Sequence, residues 1–554
     1  MVSRGDVVRI PFRHREIFGV VADVVKITEE KRTLDIVSRD PLFSIDPHDL
    51  SRLEVTACEL GQSVSSILNV AYDGLSPFPS KIPSLTLKTS DSPSITRQTT
   101  AIVKEVLEQL THDRTFAVSI DDESSIVLAH ALCKTMKNQI ILLVPRERDA
   151  EMLSNILAPF APVLLTGKTK PRERNAIIRA WRDGSVRILI GTRQTVLISP
   201  NSLDAILIYQ SGCEDHDTKR RNPYLDNRRI AEGLAAAHQA RLISCDPLPP
   251  ISASLHIAKA SNLPASPLIV DATHHGERSG FPLLTQTLLE AIKTALHSQK
   301  KVLLSLNRKG VAKRLECRDC GHVPFCGTCG NLPTVRLDDL LCESCGSEMW
   351  KPKTCPACQS IHIGLRSIGG KKIADDLAKT FPEARIGHVE KGQVNLDADI
   401  ILATEYFWSS VQEPFRRYNL GLVGEILADI GFATGDYTSG ERTARKIARL
   451  TNLAAQEHAV CIIQTVARDR LLSLLGTDHV TTLESAARQK YLLPPFGVIV
   501  TFDGAIKDEL PEEIRTYVHE RHEKLQVKIT HQTLVHWQSL FPLLPDHIKI
   551  LIER

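Results

Sequence analysis

The chain has 554 residues, enough for roughly three to five domains of ~100–200 residues each. Its 42% hydrophobic and 24% charged content is that of an ordinary globular protein and excludes global disorder. A net charge of +3, from 68 basic and 65 acidic residues, neither demands nor excludes nucleic acid, so any DNA claim must rest on sites.

No apolar run approaches the ~18–20 residues of a membrane span. The opening MVSRGDVVRIPF has no apolar signal core. The expectation is a cytoplasmic protein with no membrane partner and reduced thiols. In chain order, residues 1–60 read as a small β-rich domain, with VVRIPF and IFGVVADVV as strands. Residues 61–96 read as a linker, rich in Pro, Ser and Thr from 76 onward. Over 97–255 apolar strands alternate with helices: QIILLVP, DAEMLSNILAPF, VRILIGT and DAILIYQ. That rhythm indicates βαβ units and a parallel sheet. A second α/β lobe spans 256–316 and 359–475, with PLIVDA, KVLLSLN, ADIILAT, GLVGEILAD and AVCIIQT as strands. Residues 317–358 interrupt it, and 485–554 form a small α+β domain.

Eight of the thirteen cysteines fall within 317–358, as four CxxC pairs: Cys317/Cys320, Cys326/Cys329, Cys342/Cys345 and Cys355/Cys358. A two-residue gap lets both sulfurs of a turn face one ion, so eight thiolates suffice for two tetrahedral sites. Soft thiolates suit zinc, with iron–sulfur ligation the alternative. The inner pairs form a natural hairpin around which the outer pairs would close, but spacing leaves the pairing open. Met349 and Trp350, inside this block, read as packing residues.

The run NRKGVAKRLECRDCGHVPFCGTCGN…LCESCG…TCPACQS resembles the zinc module of the PriA family of primosomal replication-restart helicases. GDVVRIPFRHREIFGVV, RERNAIIRAWRDGSVRILIGTRQT, GDYTSGERTARK and YLLPPFG carry the resemblance along most of the chain. It implies two RecA-like helicase lobes with parallel sheets, a two-zinc Cys₈ module inserted in the second, a β-rich N-terminal domain that captures a 3′ DNA end, and an α+β C-terminal domain. It also implies nested ligation, with Cys317, Cys320, Cys355 and Cys358 on one Zn²⁺ and Cys326, Cys329, Cys342 and Cys345 on the other. The chain starts inside the family's first domain, and the stretch before the core is short for the family's winged helix.

The nucleotide motifs depart from the family. A P-loop cradles phosphates on Gly-rich backbone, with a Lys on the β/γ oxygens and a Ser/Thr on Mg²⁺. The family's GSGKT aligns here with Asp121-Asp122-Glu123-Ser124-Ser125. Each like-charge pair with a phosphate would cost about 4 kcal/mol at ~4 Å and an effective dielectric near 20. Gly167-Lys168-Thr169 is a decoy, since the required upstream glycine is Pro162 and Pro171 follows. The Mg²⁺-binding DEEH becomes Tyr209-Gln210-Ser211-Gly212, with Glu214, Asp215, His216 and Asp217 just beyond. The GSAT-like motif becomes Ser244-Cys245-Asp246-Pro247, and GTQ becomes Ala403-Thr404-Glu405. In the arginine-finger motif the two arginines become Leu453 and Gln456. Loss of an arginine finger alone costs ~10³–10⁵ in turnover. No catalytic residue is therefore assigned, and ATP/Mg²⁺ binding is doubtful.

Arg9, Arg13, Arg15 and Arg193 are the candidate DNA contacts, while Phe12 and Phe18 read as core. The expected function is recognition of forked or branched DNA in replication restart and primosome assembly, without ATPase activity. The expected partners are replication-restart and single-strand-binding proteins, and the chain is expected to act as a monomer. An active ATP-dependent 3′→5′ helicase and a zinc-containing protein-interaction scaffold are the alternatives.

Overall fold

A computed structural model of the chain describes residues 2–12, 15–24, 36–72, 100–110, 113–218, 223–252, 257–258, 266–272, 284–306, 314–320, 322–328, 333–336, 339–342, 347–366, 370–429, 431, 437–475, 477–521, 524–538, 540–541, 544–545 and 547–553. Two compact units emerge: Met1–Val118, Ser124–Cys245 and Gly497–Arg554 form the first, and Ser119–Glu123 with Asp246–Phe496 the second.

The first unit opens with a three-stranded antiparallel sheet, Asp6–Phe12 flanked by Arg15–Val20 and Ser38–Ser44. Helix Pro47–Glu59 follows, started by Asp46, whose carboxylate accepts the His48 and Asp49 amides, with proline at its first position. Helix Val64–Ala71 starts at Ser63, whose hydroxyl accepts the Ser66 amide. Both helices pack Leu53, Ala57, Ile67 and Ala71 into the core of the large sheet. So residues 64–71, within the stretch read as a linker, are a packed helix, while 73–96 lie outside the described residues.

The large sheet of this unit runs Thr115–Ser119, Arg241–Asp246, Leu203–Tyr209, Gln139–Leu143, Ile188–Gly191, Val163–Leu165 from neighbour to neighbour. The ladders from Arg241–Asp246 to Val163–Leu165 are all parallel. Strand Gln139–Leu143 is buried along its whole length, and after Gln139 it is entirely apolar, because helices cover both faces of such a sheet. The C-terminal domain is a four-stranded antiparallel sheet in the order His519–Arg521, Lys524–Ile529, Val498–Asp503, Lys549–Glu553, closed by Leu534 and Trp537.

The second unit holds a seven-stranded sheet in the order Leu268–Asp271, Val460–Thr465, Leu420–Glu425, Lys301–Ser305, Ile400–Ala403, Ile386–Glu390, Gln393–Val394. It is parallel except for its last pair. The cysteine module leaves this sheet after Lys301–Ser305 on an antiparallel ribbon, Arg314–Cys317 against Ile363–Arg366. At its far end lies a small sheet of Thr334–Val335, Asp339–Leu341 and Glu348–Trp350. Among the described residues no helix is long and apolar enough to cross a membrane.

Candidate metal centre

The ribbon positions the outer cysteines. Its register sets Cys317 opposite Ile363, so residues 355–362 fold back over 317–322. The Cys317 amide donates to the His322 carbonyl at 2.9 Å and the Cys355 amide to the Ser360 carbonyl at 2.7 Å, closing each turn on itself. The Arg318 amide donates to the His362 carbonyl at 2.8 Å, joining the two turns. Asp319 adds a polar clasp, accepting the Ser360 hydroxyl and facing His362 Nδ1 at 3.0 Å.

The sulfurs of Cys317, Cys320, Cys355 and Cys358 all lie within 4.8 Å of one another. Cys317 and Cys358 are 3.6 Å apart, Cys320 and Cys355 3.5 Å. A disulfide would need about 2.05 Å. Four thiolates at ~2.3 Å from one tetrahedral zinc would be separated by roughly 3.8 Å. The Cys355 sulfur is buried, which works against its thiolate, but amides of Cys358 and Ala357 hydrogen-bond it and bring its pKa below the ordinary thiol range. Donor type, number and spacing fit one tetrahedral metal ion. Of the inner set, Cys326 and Cys342 are buried, whereas Cys329 and Cys345 lie outside the described residues. Trp350 is 88% exposed, against the expectation of packing. The reason is strand alternation: Met349 pairs with buried Leu340, so Trp350 points to the opposite face.

At the P-loop position, strand Thr115–Ser119 ends and helix Asp122–Thr135 begins with only Ile120 and Asp121 between. Two acids therefore occupy the first helical turn, where the positive end of the helix dipole would otherwise favour a phosphate. Ser124 and Ser125 are buried. Residues 119–123 group with the second unit. There Glu123 Oε1 accepts Arg417 Nη1 at 2.7 Å and the Phe415 amide at 3.1 Å, and Oε2 faces Arg417 Nη2 at 3.4 Å. Nothing in the sequence reading singled out Arg417. The run Glu413-Pro414-Phe415-Arg416-Arg417, an aromatic beside two cations, was the available signal.

The decoy Gly167-Lys168-Thr169 is a loop ahead of helix Pro171–Arg182. Buried Arg174 ties its Thr166, Gly167 and Thr169 carbonyls, and Lys168 faces Glu151 at 3.0 Å. At the DEEH position, Arg146 draws in Asp215 (2.6 Å), Gln210 Oε1 (3.2 Å) and Cys213 Sγ (2.9 Å). His216 is fully buried, its Nε2 at 3.0 Å from the Tyr209 carbonyl. Burial, seconded by Arg228, pushes its pKa down to about 4. The unfolded chain, with histidine near 6.5, takes up that proton first, so stability is full above pH 6.5 and is lost as pH falls toward 4. Acidification across that window is expected to remove about 3 kcal/mol through this group. Urea melts of wild type and His216→Gln across pH 7 to 4 check it, the variant showing a flatter profile.

Leu453, at an arginine-finger position, is in the core of the second unit. Arg445 and Arg449, on the same helix Ser439–Gln456, reach buried Asp246 at 3.3 and 3.6 Å. Among the DNA candidates, Arg9 lies over the Phe18 ring at 5.7 Å and pairs with Glu16 at 3.2 Å. Phe18 is 51% exposed rather than core, because it stands on the outer strand of a thin sheet. Arg15 opens strand Arg15–Val20, Arg13 lies outside the described residues, and Arg193 is half-buried at the head of a turn, Arg193–Val196.

Two α/β units, each built on a largely parallel sheet and the second interrupted by a cysteine module, define the fold. Among solved structures the chain is similar to S. cerevisiae Dbp5 bound to RNA and ADP BeF3 (TM-score 0.36, 10% identity, 70% of this chain and 93% of that one). It is also similar to a DEAD box protein from Methanococcus jannaschii (TM-score 0.33, 11% identity, 70% and 90%). No family model matches the chain. Its curated relatives are named replication restart protein PriA. That of Rickettsia felis is 23% identical over 578 residues, 94% of this chain and 86% of the relative. The Bacillus subtilis protein is 24% identical over 351 residues, 56% and 42%. The Treponema pallidum protein is 27% identical over 242 residues, 40% and 36%.

Proposed function

We propose that this chain is a PriA-type replication restart protein that recognises forked or branched DNA and assembles replication proteins on it without hydrolysing ATP. The observation that carries this reading is the contrast between two sites in one molecule. The outer cysteine set has metal-ligand geometry, whereas the phosphate loop is reduced to two residues and its helix opens with carboxylates. Zinc would hold the module rigid. Arg9, Arg13, Arg15 and Arg193 would meet phosphates, which position a protein on DNA without reading sequence. Replication-restart and single-strand-binding proteins are the fitting partners, in the cytoplasm.

A fluorescence-anisotropy titration of zinc-loaded protein on a labelled three-way fork, across a salt series with and without ATP–Mg²⁺, tests this. Fork binding should weaken linearly in log K against log salt, as counterion release requires, and ATP should change nothing. Absence of fork binding at low salt, or an affinity that ATP shifts, overturns the reading.

A further inference from the structure

We propose that Arg417 and the Phe415 amide form an anion cradle suited to a phosphoryl oxygen, in which the Glu123 carboxylate sits as an internal ligand. This rests on the reading of the chain as a protein without ATPase activity, and names what holds its phosphate position shut. The geometry is that of an anion site. Two donors of different kinds, a guanidinium arm at 2.7 Å and a backbone amide at 3.1 Å, converge on one oxygen, while the other arm faces the second oxygen at 3.4 Å. A guanidinium fork grips carboxylate and phosphate with the same bidentate geometry. Glu123 stands, in the alignment, at a glycine of the phosphate-cradling GSGKT, so its negative charge lies where a triphosphate's would.

Contacts other than those of Glu123 also hold the cradle's loop. Buried Glu457 accepts the Tyr418 amide at 2.7 Å and the Leu420 amide at 3.0 Å, fixing the loop from beneath. The Tyr418 hydroxyl accepts the Glu413 amide at 2.9 Å, and Arg416 lies 5.3 Å over the Tyr418 ring. Phe415 and Asn419 hold φ of +65° and +58°, a left-handed conformation that non-glycine residues keep where the surroundings impose it. Arg417 remains 48% exposed, so an external anion can reach it, whereas Glu123 is 16% exposed.

The test is titration of inorganic pyrophosphate by calorimetry into wild type, Glu123→Ala and Glu123→Ala/Arg417→Ala, each verified as folded by thermal melting. Wild type should give no saturable heat. Glu123→Ala should bind, and the double variant should bind at least about tenfold more weakly, since a charged hydrogen-bond donor has been removed. Hydrogen exchange gives a second measurement: the Phe415 amide should exchange about tenfold faster in Glu123→Ala, and pyrophosphate should slow it again. Competition by ATP or by a thymidine oligonucleotide then separates nucleotide from strand as the phosphoryl source, either being consistent with the cradle. Pyrophosphate binding no better in Glu123→Ala than in wild type, or undiminished by Arg417→Ala, overturns it. Tight ATP–Mg²⁺ binding by wild type would instead overturn the reading on which it rests.

Discussion

Replacing Cys355 by serine is expected to unfold residues 314–366 while leaving both large sheets intact. The ribbon Arg314–Cys317/Ile363–Arg366 and the three-residue strands beyond it are too short to be stable alone. The described hydrophobic clusters are built around the sheets, and from the module only Val323 and Phe325 reach one of them. A metal ion bound by the outer cysteines would therefore supply most of the module's folding energy, a structural zinc being worth about 10–16 kcal/mol in small peptides near neutral pH. Cys355 is fully buried, so a serine there both weakens the donor set and strands a hydroxyl. Limited proteolysis should cut Cys355→Ser, or chelator-treated wild type, within 314–366 at least about a hundredfold faster than zinc-loaded wild type. Metal analysis should show one zinc fewer per chain in the variant. Equal proteolytic resistance with and without chelator would rule out a structural metal here.

The large sheets were legible because buried parallel strands carry unbroken apolar runs such as residues 140–143 and Ile400–Ala403, punctuated by helices with polar faces. Helix Pro47–Glu59 carried its own signal, Asp-Pro at the start and Leu50, Leu53 and Ala57 at helical spacing. It was hidden by the β-rich residues before it. The cysteine spacing showed that ligands exist but not which pairs share an ion. The antiparallel ribbon brings the first and last pairs together, and ribbons of four residues have no periodicity to read. Trp350 went astray because alternation in a three-residue strand cannot be phased from sequence. Arg417 and Glu123 are separated by nearly three hundred positions, and no local pattern announces that a carboxylate at a vanished phosphate loop will find a guanidinium.

The same limit applies to a buried polar cluster in the second unit, which sets the last prediction. Glu441 lies between Arg445 on its own helix and Arg488, which donates to it at 2.7 Å, and its side chain is 7% exposed. Arg445 continues to Asp246 at 3.3 Å and donates to the Leu248 carbonyl at 2.8 Å. Arg488 lies 5.2 Å over the Tyr437 ring. Burial alone would raise the Glu441 pKa, but the two guanidinium groups outweigh it and hold the carboxyl below its ordinary value. Its contribution to stability is thus present at neutral pH and lost as pH falls through the depressed pKa. Arg488→Met leaves Glu441 with one cation instead of two in a buried setting. Breaking such a pair costs about 3–5 kcal/mol, or on the order of 10 °C in the unfolding midpoint of a unit this size. Glu441→Leu/Arg488→Met removes both charges and leaves Arg445 paired with Asp246. The double variant should therefore be more stable than the sum of the single changes predicts, by at least about 1 kcal/mol. Thermal denaturation of the four proteins reads the cycle directly. Additive losses would mean that Arg488 stabilises by packing its stem against Tyr437, not by serving as the buried counter-charge of Glu441.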